Sequence, residues 1–86
     1  MKNIKIAILG GGNLGTSLAK GLVVSGQFDK SEIIITDKRE SRINHLQGLG
    51  FRSSSDSLLA VRSASVIIMS VKPQQFNDLA EEVREA

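Results

Sequence analysis

The chain has 86 residues, of which 41% are hydrophobic and 23% charged, and its net charge is +2, so a single compact globular unit is expected. So small a charge, with an aromatic content of 3% that is all Phe, argues against a nucleic-acid-binding surface. The lack of Cys excludes disulfides and thiolate metal sites and fits a reducing, cytoplasmic compartment.

The first predicted strand covers residues 4–9, a β-branched apolar run that ends at glycine. This run is short and interrupted by Lys5, so it is predicted to be neither a membrane span nor a signal peptide. A first helix is predicted over residues 13–25, where leucines recur at every fourth position and form one apolar face.

The segment that joins this strand to this helix, Gly10-Gly11-Gly12-Asn13-Leu14-Gly15, has the spacing Gly-x-Gly-x-x-Gly. Gly10 is expected to make the tight turn, Gly12 to let a phosphate approach the backbone, and Gly15 to let the helix pack closely on the strand. A helix that begins at such a turn directs free N–H groups and the positive end of its dipole at an anion. We therefore expect the amides of residues 10–15 to bind the pyrophosphate of a dinucleotide. The alternative is a glycine-rich turn without a ligand.

The next predicted elements are a polar loop over residues 27–31, a strand over 32–36 and a helix over 40–49 that stops at Gly50. This second helix carries His45 between two core positions, so His45 is expected to face solvent. No Ser-His-Asp set, carboxylate pair or zinc pattern stands out, and no catalytic or metal-binding residue is predicted.

The charged residues at the end of the second strand give conflicting indications of which dinucleotide the chain binds. Asp37 lies 22 residues after Gly15, close to the spacing of the acidic residue that accepts hydrogen bonds from the adenosine ribose. That residue favours NAD, whereas Lys38 and Arg39 suit the 2′-phosphate of NADP. NADP is the predicted cofactor, with NAD as the open alternative. A purely structural interpretation is that Asp37 caps the second helix and both cations point into water.

Residues 51–53 predict a short third strand, and Ser55 or Asp56 is expected to cap a short helix that follows it. The fourth strand is predicted over residues 66–71 as a second buried apolar run. Pro73 suits the first turn of a final helix.

The order β-α-β-α-β-α-β-α predicts an α/β fold, a doubly wound parallel sheet of the Rossmann type truncated to about four strands. The complete arrangement has strand order 3-2-1-4-5-6, and its ligand lies across the switch between strands one and four. Residues 1–86 are therefore expected to be the dinucleotide-binding, N-terminal part of a longer chain. The edge left by a missing fifth strand, or the uncovered helix faces, predicts a homo-oligomer.

Polar residues follow the fourth strand at the edge where ligands of open α/β sheets bind. Ser70, Val71 and Lys72 are expected to face the ribose or the nicotinamide side of the cofactor. The alternative is a plain strand-to-helix turn in which Lys72 is a solvated surface charge.

Two motifs together resemble the N-terminal domain of pyrroline-5-carboxylate reductases. They are the glycine turn with its Gly-Asn pair and the run Val66-Ile67-Ile68-Met69-Ser70-Val71-Lys72-Pro73-Gln74. The resemblance covers essentially the whole chain and about the first third of a full-length member. It implies a Rossmann domain for NADPH or NADH, and a helical C-terminal domain that dimerises and holds the imine. It also implies hydride transfer to the C=N carbon of pyrroline-5-carboxylate, which gives proline.

Motif and resemblance together predict three groups of cofactor-binding residues. They are Leu9, Gly10, Gly11, Gly12, Asn13, Leu14 and Gly15 at the pyrophosphate, Thr36, Asp37, Lys38 and Arg39 at the adenosine ribose and any 2′-phosphate, and Ser70, Val71, Lys72 and Pro73 at the nicotinamide-side ribose. Ser57 is predicted to contact the cofactor as well, without an assigned part of it. The chain departs from the family pattern at Ser70, where Ala is usual, and at Ser65, where Asp is common. Ser57 stands where many members have an Asn that touches the cofactor.

Other functions share these motifs. A competence-related homologue and a reductase that exchanges hydride between NADP and a deazaflavin are divergent relatives. A stand-alone NAD(P)-binding regulatory module and a scaffold without a ligand are further alternatives. Since orientation of the substrate lowers a barrier by several kcal/mol, and no substrate domain is present, we expect the chain alone to bind cofactor weakly and to turn over little.

Overall fold

The computed structural model describes residues 4–84, except for the side chains at positions 73 and 74. Strands and helices alternate as the sequence predicts. The strands are β1 (Ile6–Leu9), β2 (Ile33–Thr36), β3 (Arg52–Ser54) and β4 (Val66–Met69), and the helices are α1 (Asn13–Val24), α2 (Glu40–Gly48), α3 (Ser57–Ser63) and α4 (Pro73–Val83). None of the helices within residues 4–84 is both long enough and apolar enough to cross a membrane.

The four strands form one parallel sheet in the order β3-β2-β1-β4. In the centre of the sheet Ile8 of β1 is paired with Ile35 of β2 and Ile68 of β4. The predicted switch between strands one and four is confirmed, since α1 leaves β1 toward one face and α3 packs on the other. All four carboxyl ends therefore lie at the same edge of the sheet.

The two faces of the sheet bury alternate residues of β1, as the twofold periodicity of a strand requires. Ile6 and Ile8 point to the face covered by α1 and α2, where they pack with Ala19 of α1 and Leu46 of α2. Ala7 and Leu9 point to the opposite face, where they pack with Ala60 of α3. Leu79 and Val83 of α4 complete this second face only in part.

The prediction that strand four is a buried run over residues 66–71 is wrong. The strand ends at Met69, and the exposed fractions of Val66 and Ile67 are 51% and 42%. The reason is position, because β4 forms one edge of the sheet among the described residues and only β1 pairs with it.

Smaller differences concern the ends of elements. A short 3₁₀ turn, Lys30–Glu32, lies partly within the predicted loop before β2. Of the two predicted caps of α3, Asp56 is the one found, because its carboxylate accepts a hydrogen bond from the Leu59 amide at 3.0 Å. Gly50 ends α2 with a φ of +95°, as predicted for a stop glycine.

Candidate functional site

A cavity of about 460 Å³ opens at the carboxyl edge of the sheet, between the glycine turn, the end of β2 and one side of α4. Its volume is within the range of small-molecule sites in proteins. The sequence-predicted residues that line it are Gly10, Gly12, Thr36, Asp37, Lys38, Arg39, Ser57, Ser70, Val71 and Lys72. The side chain of Pro73 lies outside the described part of the chain, although its backbone begins α4.

Five other predicted residues do not line the cavity. Leu9 is fully buried beneath it, while Gly11 and Gly15 are buried within the turn. Asn13 and Leu14 have exposed side chains in the first turn of α1, where only their backbone amides point along the helix axis toward the cavity side.

Gly10 and Gly15 are glycines because the fold requires it. Gly10 has a φ of +118°, and a Cβ on it would lie 2.8 Å from the carbonyl oxygen of Ser70. A Cβ on Gly15 would lie 2.1 Å from the carbonyl oxygen of Gly10. The turn and the close packing of α1 that the sequence predicts are both confirmed by these distances.

Gly12 is different, because nothing within the chain requires a glycine there. Its φ is −74°, and the nearest atom to an added Cβ would be Nη2 of Arg39 at 3.9 Å. A side chain at this position would occupy the mouth of the cavity instead of clashing with the protein. This is the geometry of a backbone that must leave room for a ligand.

The amides of the turn are divided between the protein and the cavity. The Gly10 amide donates to the Thr36 carbonyl at 2.9 Å, and the Gly11 amide donates to Asp37 Oδ2 at 3.0 Å. The expectation that all amides of residues 10–15 face a ligand is therefore wrong for these two. No side chain caps α1, and within the described chain no hydrogen bond reaches the amides of Gly12, Asn13 and Leu14. These three donors, at the positive end of α1, are available to an anion.

Arg42 of α2 holds the turn in place, a role that the sequence did not indicate. Its Nε donates to the Gly11 carbonyl at 2.6 Å, and its Nη2 donates to Thr16 Oγ1 at 2.9 Å. Thr16 Oγ1 also donates to the Gly11 carbonyl at 3.3 Å. Because Arg42 and Gly11 are 31 residues apart, no local pattern could have revealed the contact.

Asp37 and Arg39, which the sequence assigned to two different cofactors, bind each other. Arg39 Nε donates to Oδ1 and Nη2 donates to Oδ2, both at 2.9 Å, and the Arg39 amide donates to Oδ1 at 2.9 Å. The guanidinium lowers the pKa of Asp37 from 3.8 to about 2, partial burial opposes this shift, and the amides of Arg39 and Gly11 add to it. In return, the hydrogen-bonded carboxylate raises the pKa of Arg39.

These contacts correct the purely structural interpretation of the same loop. Asp37 is not the N-cap of α2, because Arg39 holds that position and its side chain makes no capping hydrogen bond. Asp37 Oδ1 accepts instead from the amide of Arg39, which precedes the helix. Neither cation simply points into water, since Lys38 Nζ forms an ion pair with Oε1 of Glu82 on α4. Lys72 is exposed, and His45 is exposed as predicted.

The floor of the cavity is formed by hydroxyl groups that are satisfied by protein partners. Thr36 and Ser57 are buried, and their hydroxyl oxygens lie 3.2 Å apart in a hydrogen bond. Ser70 Oγ donates to the Gly10 carbonyl at 2.7 Å. Ser70 thus links the end of β4 to the turn after β1.

The sequence did not assign any residue of α4 after Pro73 to the site. Four such residues line the cavity, namely Gln75, Asp78, Leu79 and Glu82. Glu81 and Glu82 are both exposed, but of the two Glu82 lines the cavity and Glu81 does not. The distinction depends on the direction in which α4 crosses the sheet.

Comparison with known proteins agrees with this geometry. The family model described as "NADP oxidoreductase coenzyme F420-dependent" matches residues 5–86. Pyrroline-5-carboxylate reductase 2 of Dictyostelium discoideum is 41% identical over 98% of this chain, and a pyrroline-5-carboxylate reductase of Vibrio alginolyticus is 37% identical over 94% of it. The alignments cover 29% and 30% of those two proteins, so the chain spans under a third of their length.

Two solved structures share the fold. A pyrroline-5-carboxylate reductase from Coxiella burnetii superimposes with a TM-score of 0.85 at 24% identity, covering 98% of this chain and 31% of that one. The Plasmodium falciparum pyrroline carboxylate reductase with NADP bound superimposes with a TM-score of 0.75 at 21% identity, covering 99% and 30%. With its glycine turn, four-stranded parallel sheet and edge cavity, the chain belongs to the family described as coenzyme F420-dependent NADP oxidoreductases.

Proposed function

We propose that the chain is the NADP-binding domain of a pyrroline-5-carboxylate reductase-like oxidoreductase. The observation that carries the proposal is the open turn at Gly12. There a side chain would project into the cavity, and three amides at the start of α1 have no partner within the described chain. The similarity to reductases of two organisms supports the class of enzyme, while the description of the matched family and an NADP-bound structural neighbour support the cofactor.

The residues present fit a dinucleotide of this kind. The amides of Gly12, Asn13 and Leu14 would hold the pyrophosphate, as an uncapped helix N-terminus favours. The loop from Thr36 to Arg39 would surround the adenosine ribose and its 2′-phosphate. The residues around Ser70 would line the nicotinamide side, with Ser57 at the floor of the cavity.

The proposed reaction in the complete protein is reduction of the imine of pyrroline-5-carboxylate to proline. NADPH supplies the hydride for the C=N carbon, and the imine nitrogen is protonated. The residues of this chain bind and orient the cofactor, and the remaining two thirds of a relative's length would supply the substrate pocket. The chain alone is expected to show little or no turnover with pyrroline-5-carboxylate and NADPH.

A second candidate reaction is hydride exchange between NADP and a deazaflavin. The description of the matched family favours it, since that description names coenzyme F420. Both reactions need the same NADP site, so they are distinguished only in the complete protein. Reduction of pyrroline-5-carboxylate supports the first, and NADPH-dependent reduction of a deazaflavin without imine reduction supports the second.

The test of the cofactor site compares two glycines near or within α1. Gly12→Ala is expected to leave stability unchanged, because its φ suits alanine, and to weaken binding of NADPH and of NADH at least tenfold. Gly21→Ala is the matched control, since nothing lies within 4 Å of its added Cβ and it does not line the cavity. Calorimetric titration of each variant measures the affinities. Equal affinities for Gly12→Ala and the unaltered chain would contradict the site.

We further propose a cytoplasmic location, which the cysteine-free composition suits, and a homo-oligomer. The exposed outer edge of β4, with Val66 and Ile67 partly uncovered, supports self-association of this chain. Sedimentation velocity over a range of chain concentrations tests it, and a concentration-independent monomer would contradict it.

A further inference from the structure

Charged side chains of both signs line the cavity, and they include Asp37 beside the β2 cations and Lys72 at the start of α4. On the side of β2 the loop after Thr36 supplies Lys38 and Arg39, the cations suited to a phosphate. On the facing side α4 supplies Asp78 and Glu82, two carboxylates that also line the cavity. A phosphate that approaches the cations therefore meets acidic groups on the opposite wall.

Neither cation is free in this structure. The Arg39 guanidinium is bound by both oxygens of Asp37, its neighbour in sequence. The Lys38 ammonium is bound by Glu82, which lies 44 residues further along the chain and on a different element. Any phosphate bound by Lys38 must compete with the Glu82 carboxylate for that ammonium.

We propose that Glu82 is a specificity-determining residue that weakens the preference of this site for NADPH over NADH. Glu82 is already paired with the Lys38 ammonium, so the 2′-phosphate of NADPH binds that ammonium only after the ion pair separates. NADH has no 2′-phosphate and meets no such competition. The inference rests on the proposed function, because it assumes that the cavity binds a dinucleotide with its adenosine ribose beside Lys38.

The exposure of the pair sets the size of the effect. The Lys38 and Glu82 side chains are 69% and 34% exposed, and exposed ion pairs contribute little free energy. Such a pair can be separated by a ligand, and its loss does not endanger the fold. We expect its removal to change NADPH affinity by about two- to fivefold, the range that the free energy of an exposed pair allows.

The experiment titrates the full chain with NADPH and with NADH. Glu82→Gln is expected to raise the affinity for NADPH about two- to fivefold and to leave the affinity for NADH unchanged. Glu81→Gln is the matched control, because it makes the same change in net charge on the same helix. Glu81 pairs with Arg84 at 3.1 Å and does not line the cavity, so this variant should change neither affinity.

A double-variant cycle tests whether Glu82 acts through Lys38. Lys38→Met is expected to weaken the binding of NADPH but not of NADH. Adding Glu82→Gln to Lys38→Met should then bring no increase in NADPH affinity. A gain of the same size in the Lys38→Met background would overturn the proposal, as would equal gains for NADPH and NADH. If both dinucleotides bind and no ratio changes, only this inference is wrong. If neither dinucleotide binds, the proposed function is wrong and the inference falls with it.

Discussion

The two halves of the chain are packed very differently. The first half, residues 4–51, contains Ile8, Ile33, Ile35 and Leu46, all of them fully buried. In the second half, residues 52–84, Ala60 is the one buried hydrophobic residue among the described positions. The difference teaches that the glycine turn is held by a dense core, whereas the α4 wall of the cavity is held by few apolar contacts.

Position in the sheet explains the difference. β1 and β2 are central strands with helices over both faces, while β4 lies at an edge and α4 covers it only in part. Leu59 of α3 and Phe76 of α4 remain 54% and 47% exposed. The proposed cofactor site would gain from this arrangement, since a densely packed turn would hold the pyrophosphate while a loosely packed wall would adjust to the rest of the ligand.

The largest predicted effect is on the free energy of unfolding, and it is tested by truncating one apolar side chain in each half. Leu46→Ala should lower the free energy of unfolding by about 2–5 kcal/mol, because Leu46 is fully buried. Its side chain also packs against Gly11, since a Cβ added to Gly11 would lie only 2.8 Å from Leu46 Cδ1. Ile67→Ala should lower it by only about 1 kcal/mol, since Ile67 is 42% exposed. Urea unfolding followed by circular dichroism measures both, as the chain has neither Trp nor Tyr.

Equal losses for these two variants would show that the second half is as densely packed as the first. If Leu46→Ala does not fold, Leu46→Met replaces it, with an expected loss below about 1.5 kcal/mol and an unchanged glycine turn.

Much of the fold could be predicted because it depends on local pattern. The β-branched runs, the stop at Gly50 and the glycine spacing each identify an element from a few neighbouring residues. The exposure of β4 could not be predicted in this way, because its apolar run resembles that of β1. Which of two similar strands is buried depends on sheet order, and sheet order is a property of the whole chain.

The candidate site likewise has parts that could be predicted from local sequence and parts that could not. Its backbone parts, the turn at Gly12 and the end of β2, follow from sequence spacing. Its side-chain contacts do not, because Arg42 reaches Gly11 and Glu82 reaches Lys38 across 31 and 44 residues. The pairing of Asp37 with Arg39 is local, yet sequence reasoning considered each residue as a partner of the cofactor and not of the other.

The second prediction sharpens the comparison within a single helix. Gly15→Ala should lower the free energy of unfolding by about 3 kcal/mol, because its Cβ would lie 2.1 Å from a backbone oxygen that cannot move aside. Gly21→Ala, in the same helix, should raise it by about 0.5–1 kcal/mol, since alanine favours helix and the position is open. Thermal unfolding of both variants measures these two changes in stability. A Gly15→Ala variant as stable as the unaltered chain would mean that α1 does not pack against the turn.

The smallest effect concerns Asp37, a charged group at the end of β2 that accepts a hydrogen bond from the glycine turn. The folded chain holds the pKa of Asp37 at about 2, below its ordinary 3.8, so the ionised carboxylate stabilises the fold above pH 4. That contribution should disappear as the pH falls from about 4 to about 2. We expect a loss of about 1 kcal/mol, less than the full shift implies, because Arg39 is 62% exposed.

Asp37→Asn should remove this part of the acid dependence while it also weakens the bond to the Gly11 amide. Urea unfolding at pH 5, 4, 3 and 2.5 measures both chains. Parallel curves would show that the pair of Asp37 and Arg39 adds nothing to the stability of the turn.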